Sequence, residues 1–171
     1  MRKYEFTGET KQIELLFRTA TLHRIRAVVE FGLVKVGDLG GWIEKEENLS
    51  HDGKAWVWGN AEVCGNAEVC DNAKVCGNAK VWGNAEVFSA SHVLVIGAIG
   101  SRNDFTTFFR DKDGEITVKC GCFLGKIDRF LEKVMQTHGN SKYALVYRAA
   151  VEVAKLQIDL TGEVPEKEDH E

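Results

Sequence analysis

Proline is nearly missing from this 171-residue chain: Pro165 is the only one, so no proline-rich linker separates domains. Long apolar runs are missing too. None reaches the roughly 20 residues that a membrane-spanning helix needs. The first eight residues, Met1 to Gly8, are polar and lack the apolar centre of a signal peptide. There is no basic excess either. The net charge is −4, which argues against non-specific nucleic-acid binding, where many Lys and Arg must neutralise phosphates. Cysteine is present five times, an odd number, and three of the five sit inside a repeat. That pattern suits reduced thiols in a cytoplasm rather than a disulfide framework. A phosphate-binding glycine loop, a Ser-His-Asp set and a helical carboxylate–histidine motif are all absent.

What is present is a six-residue word. Val57-Trp58-Gly59-Asn60-Ala61-Glu62 is followed without insertion by four more such words, ending at Val81-Trp82-Gly83-Asn84-Ala85-Glu86. A fixed short period marks a solenoid, and a six-residue period predicts a β-helix. Strand alternation puts Ala and Val inside and the two flanking residues outside. Gly-Asn supplies the corners, because both tolerate positive φ. Three words close one coil, so residues eighteen apart stack. The inward columns are then Val57/Val75/Val93, Val63/Val81/Ile99 and Val69/Val87/Phe105.

The outward columns differ in character. One pairs Glu62 with Lys80. A second carries Glu68, Glu86 and Asp104. A third carries Trp56, Lys74, His92 and Arg110. Apolar columns also point outward: Trp58/Cys76/Leu94, Cys64/Trp82 and Cys70/Phe88. Two readings account for these. Either the N-terminal strands and C-terminal helices fold over the apolar columns, or the acidic face of one subunit meets the basic face of the next. The second contact is heterologous and closes into a ring. It makes Trp58, Glu68, Lys74, Trp82, Glu86, Phe88, His92, Asp104 and Arg110 the candidate interface residues, with a closed homo-oligomer as the expected assembly.

The flanks divide the chain further. Residues 1–48 have strand character at Tyr4 to Phe6, Ile13 to Arg18 and Leu22 to Phe31, forming an N-terminal β segment. The repeat is expected to run over 49–110, keeping its phase as it degrades after Phe88. Residues 111–160 hold a strand at Ile116 to Cys120 and two helices. The first helix spans Asp128 to about Thr137, and the second follows an N-cap at Ser141, with Tyr143, Tyr147, Ala150, Val151, Ala154 and Ile158 buried. Residues 161–171 form an acidic tail expected to be disordered.

Catalytic and metal sites find little footing. Cys64, Cys70 and Cys76 fall on three different faces and cannot share one zinc. Cys120, Cys122 and His138 lack a fourth donor, and the two thiols share a strand face with Ile116 and Val118, which favours burial. No metal and no cofactor is expected.

The hexapeptide spacing resembles that of left-handed β-helix proteins, and the handedness rests on that resemblance alone. It implies a mainly β fold: a short left-handed parallel β-helix with an N-terminal β segment and a C-terminal helical pair, assembled as a homotrimer. Many enzymes of that kind are acyltransferases with a histidine near a subunit interface, which makes His92 the candidate base for such an activity. The relatives that bind a metal through three histidines are not matched, since only His51 and His92 lie near the repeat. Three further stretches, Lys3-Tyr4-Glu5-Phe6-Thr7-Gly8-Glu9 with Leu22-His23-Arg24-Ile25-Arg26, Gly37 to Glu44, and Gly100-Ser101-Arg102-Asn103-Asp104 with Val118 to Phe123, form a layout that resembles small hexapeptide-repeat proteins of phages and prophages. That resemblance implies a non-enzymatic binding protein in the host cytoplasm. It would counteract a bacterial defence system, by inhibiting a CRISPR effector or by sequestering a small signalling nucleotide. An acyltransferase and a structural assembly protein are the alternatives.

Overall fold

The computed structural model describes residues 1–163; the final stretch of the acidic tail, 164–171, lies outside the described residues. The chain opens with a long antiparallel hairpin of β1 (Tyr4–Glu14) and β2 (Thr19–Ala27). Its turn is closed by the Leu15 N–H donating to the Arg18 carbonyl, so the Ile13 to Arg18 stretch, expected as a strand, contains the hairpin end instead. Strand β3 (Leu39–Ile43) pairs antiparallel with β2 and parallel with the first face of the repeat. Gly40 and Gly41 permit that docking. A Cβ on Gly41 would lie 2.5 Å from the Ala61 carbonyl oxygen, and one on Gly40 would lie 2.6 Å from Ile25 Cγ1.

The repeat forms six two-residue strands: β4 (Trp56–Val57), β5 (Glu62–Val63), β6 (Glu68–Val69), β7 (Lys74–Val75), β8 (Lys80–Val81) and β9 (Glu86–Val87). They pair in parallel three words apart, Trp56 beside Lys74, Glu62 beside Lys80 and Glu68 beside Glu86. The Ala and Val of every word are buried in one core with Tyr4, Ile25, Ile43, Leu49 and Phe109. Most corners carry glycine at positive φ. At the one word where aspartate replaces it, Asp71 itself takes φ 55°, a conformation that Asp tolerates better than most residues.

The single left-handed parallel β-helix expected from the repeat is not what the chain forms. Its strands are divided among a five-stranded mixed sheet (β1-β2-β3-β5-β8), two two-stranded sheets (β4-β7 and β6-β9), and a separate four-stranded sheet. The last consists of β10 (Val93–Ile99), β11 (Asp104–Arg110), β12 (Ile116–Cys120) and β13 (Phe123–Lys126), antiparallel throughout. The reason is local. After Phe88 the Gly-Asn corners stop, the strands lengthen to seven residues, and turns at Gly100–Asn103 and Asp111–Gly114 reverse the chain as hairpins. Residues 93–110 therefore do not continue the three inward columns. Phe105, expected inside, is 38% exposed.

Two helices follow, α1 (Ile127–His138) and α2 (Lys142–Gln157), separated by Gly139 at φ 57°. They pack with the antiparallel sheet in a second core that includes Phe108, Val118, Phe130, Val134, Tyr147, Val151 and Ala154. Tyr143, expected in the buried stripe of α2, is exposed, and Ala144 takes its place. Ser141 precedes α2 but makes no side-chain cap bond. Among the described residues, no helix is long and apolar enough to cross a membrane.

Candidate functional site: the outward face of the helical pair

The nine residues expected at an interface are not brought together. Glu68 and Glu86 do stack in register, and Lys112 answers Glu68 across 2.8 Å. Asp104 leaves that column for the start of β11. Lys74 stays exposed beside Trp56, but Trp56 is buried in the first core, in edge contact with Tyr4 and Phe31. His92 and Arg110 are buried as well. The Phe88 N–H donates to His92 Nδ1 across 3.2 Å, and Arg110 lies over the Phe88 ring while donating to the carbonyls of Thr161 and Gly162. Burial lowers the His92 pKa, and the Arg110 charge lowers it further. Its Nδ1 is thus occupied, and its surroundings are those of a packed structural histidine. Phe88 is covered by the chain itself, and Trp58 packs against the first core, half-buried.

Trp82 is also covered. It sits with Leu22 and Cys64 in a third, smaller core, flanked by Ile13, Leu15 and Trp42 from the N-terminal hairpin and β3. Lys119 from β12 lies 4.3 Å above its ring and Lys80 5.7 Å away. Lys11 and Arg24 bracket Trp42 in the same manner, at 4.7 and 5.4 Å. Glu62, beside Trp42 in the sheet, accepts an ion pair from Lys11 at 2.7 Å. The N-terminal strands therefore do fold over the Cys64/Trp82 column, with long cationic side chains lying along the indole faces.

Apolar side chains stay exposed at the β1–β2 hairpin tip (Leu16, Phe17), before and at the start of β3 (Leu33, Val36, Leu39), and along α2. Helix α2 is apolar on two faces. Ala144, Tyr147, Val151, Ala154 and Ile158, three or four residues apart, are buried toward the sheet and α1. Leu145, Ala149, Val153 and Leu156 follow the same spacing on the opposite side. Leu145 is 58%, Val153 48% and Leu156 89% exposed. Met135 and Leu131 of α1 extend this surface across a groove of about 540 Å³ that also touches Arg148, Ala149 and Glu152. A helix apolar on both sides is normally buried on both sides, and contiguous apolar surface of this kind marks interaction sites. Its signal was present in the sequence as the second apolar spacing of 145, 149, 153 and 156, overlaid on the first.

All five cysteines are free thiols. Among the described residues, no three His, Cys, Asp or Glu side chains are grouped to hold a metal ion. No protein-family model matches the chain, and no curated protein matches its sequence.

Proposed function

We propose that this chain is a non-catalytic binding protein that docks a partner protein on the outward face of α2. The carrying observation is the uncovered stripe Leu145, Ala149, Val153 and Leu156 on a helix whose other face is already packed. The phage and prophage layout of the flanks supplies the setting: the partner is a bacterial defence protein, a CRISPR effector among them, and docking blocks its action. The acyltransferase alternative loses its support, because the candidate base His92 is buried with Nδ1 bonded to the Phe88 N–H. The test is a protection assay in cells carrying a set of defined defence systems, CRISPR effectors included. The wild-type chain should restore infection against one of them. Leu156→Asp, a change at a side chain with almost no native contacts, should lose that protection while its circular dichroism stays unchanged. Absence of protection across the set, or full protection by Leu156→Asp, would defeat the proposal.

Self-association through the same face is a second reading, favoured by the charges beside the stripe. Arg148 and Glu152 lie on one flank, one helical turn apart. If two copies of α2 pair antiparallel, Leu145 meets Leu156 of the second copy, small Ala149 lies near the axis, and Arg148 meets Glu152 of the second copy twice. A parallel pair would set this flank against the opposite one, where Lys142 offers no carboxylate to Arg148. Light scattering separates the readings. A dimer abolished by Leu156→Asp, weakened by Arg148→Glu and restored by Arg148→Glu with Glu152→Arg supports pairing; a monomer at tens of micromolar leaves the face to a different protein.

A further inference from the structure

A second concave site lies away from the α2 stripe, and its chemistry differs. The tip of the β10–β11 hairpin, the tip of the β12–β13 hairpin and the C-terminal half of α1 enclose a half-open cleft of about 180 Å³. That is far more than the roughly 10–15 Å³ that one water requires. Its base is aromatic. Phe130 lies between Phe123 and Tyr147, with ring centres 5.4 and 5.7 Å away, and His138 stacks on Tyr147 at 5.7 Å. Burial, with the neighbouring Cys120 thiol, pushes the Tyr147 hydroxyl up to about 12, so it stays protonated at neutral pH.

The rim is cationic. Arg102 enters from the first hairpin tip and Lys133 from α1. Neither forms an ion pair or a hydrogen bond among the described residues. The acid in the lining, Asp104, already accepts from the Phe105 N–H across 2.7 Å. The geometry is also held open by glycine. Gly121, at φ 56°, lies so close to the Arg102 guanidinium that a Cβ there would come within 2.9 Å of it. Gly100, at φ 75°, makes room for the Tyr147 hydroxyl, which a Cβ would strike at 1.9 Å. Two turns thus give up side chains where Arg102 and Tyr147 approach.

We infer that this cleft binds a single nucleotide unit, its base against the half-buried Phe123 and His138 rings above the buried Phe130 and Tyr147, and its phosphate between Arg102 and Lys133. Two unpaired cations suit a phosphate better than a monovalent carboxylate, because each can give it a charge-assisted hydrogen bond. A base is retained by stacking whatever its edge pattern. The site is independent of the α2 stripe, so its fate and that of the docking proposal separate.

The experiment is titration calorimetry of the full chain with AMP, GMP, a cyclic dinucleotide, a short single-stranded oligonucleotide and inorganic phosphate. At least one mononucleotide or the cyclic dinucleotide should bind, and inorganic phosphate alone should bind at least about tenfold more weakly. Arg102→Ala and Lys133→Ala, both at exposed positions, should each weaken binding by about tenfold or more, the loss expected for one charged hydrogen bond. Leu156→Asp should leave it unchanged. Binding of the oligonucleotide alone would mean the cleft reads a strand, and would overturn the free-nucleotide form of the proposal. So would no binding of any nucleotide at millimolar concentration, or binding that both alanine variants leave intact.

Discussion

Lys126 donates to the buried carboxylate of Asp111 across 2.7 Å, from the last residue of β13 to the turn between β11 and β12. Asp111 also accepts from the Thr117 hydroxyl at 2.6 Å and from the backbone N–H groups of Asp113 and Glu115. The same turn is bridged to Ala85, and the Lys112 N–H donates to the Asn84 carbonyl. One carboxylate thus organises the joint between the last word of the repeat and the antiparallel sheet.

This joint has a pH signature. Burial alone would push the Asp111 carboxyl up, but the bonds from Lys126, Thr117 and the two backbone N–H groups outweigh it and hold the pKa below the ordinary aspartate value. A carboxyl depressed in the folded state stabilises it above the unfolded pKa, and that contribution disappears as pH falls through the folded value. Stability should therefore drop below about pH 4. Asp111→Ala should cost about 2–3 kcal/mol at pH 7, since it leaves buried donors unpaired, and should flatten the acid limb of a urea-melt series against pH. An unchanged acid limb would contradict this role.

Gly41→Ala should destabilise the chain by about 1–3 kcal/mol, the usual cost of forcing atoms into a filled core. The added methyl would meet the Ala61 carbonyl oxygen and Val57 Cγ1 at 2.5 and 2.7 Å. Backbone must move to relieve it, and β3 is the strand through which the N-terminal hairpin joins the repeat. Chemical denaturation measures the loss; a neutral result would mean that β3 docks more loosely than described.

Val81→Asp should abolish folding. Val81 is fully buried and pairs with Val63 in the centre of the repeat. A carboxylate there finds no partner and costs several kcal/mol, a large share of the whole stability of a domain this size. Soluble, cooperatively melting Val81→Asp protein would show that this column is not the core.

The thiols should divide by exposure. Cys76 and Cys122 are exposed, and Cys64 is buried. Burial pushes the Cys64 thiol up to about 12, helped by Glu44 and Glu62. Thiolate is the reactive form, so an alkylating reagent at pH 7.5 should label Cys76 and Cys122 in the folded protein and reach Cys64 only on unfolding. Peptide mass mapping reads this directly. Early labelling of Cys64 would mean that the Leu22–Trp82 cover opens readily.

What could be read from residue order was whatever a local rule controls. Valine and alanine at fixed places in each word had to be inside, because a period of two within each short strand leaves them no other side. The glycine corners had to turn, because the backbone there takes positive φ. The two helices followed from their own apolar spacing. The second apolar stripe of α2 is less legible, since the first stripe already accounts for a helix packed on one side.

The tertiary structure decided everything that depends on partners distant in sequence. Trp82 and Cys64 point outward from the repeat, yet Leu22 and Lys119 bury them from opposite ends of the chain. His92 and Arg110 would have stood in one exposed basic column; instead His92 packs against Phe88, and Arg110 reaches residues 161 and 162. Past Phe88, parallel stacking and antiparallel hairpins both satisfy the backbone. The choice fell to hairpin turns and to the helices that cover the resulting sheet, and a six-residue pattern carries no information about either. A repeat determines the inside of its own strands, but the covering of its outer faces is a contest among distant segments, and only the folded chain settles it.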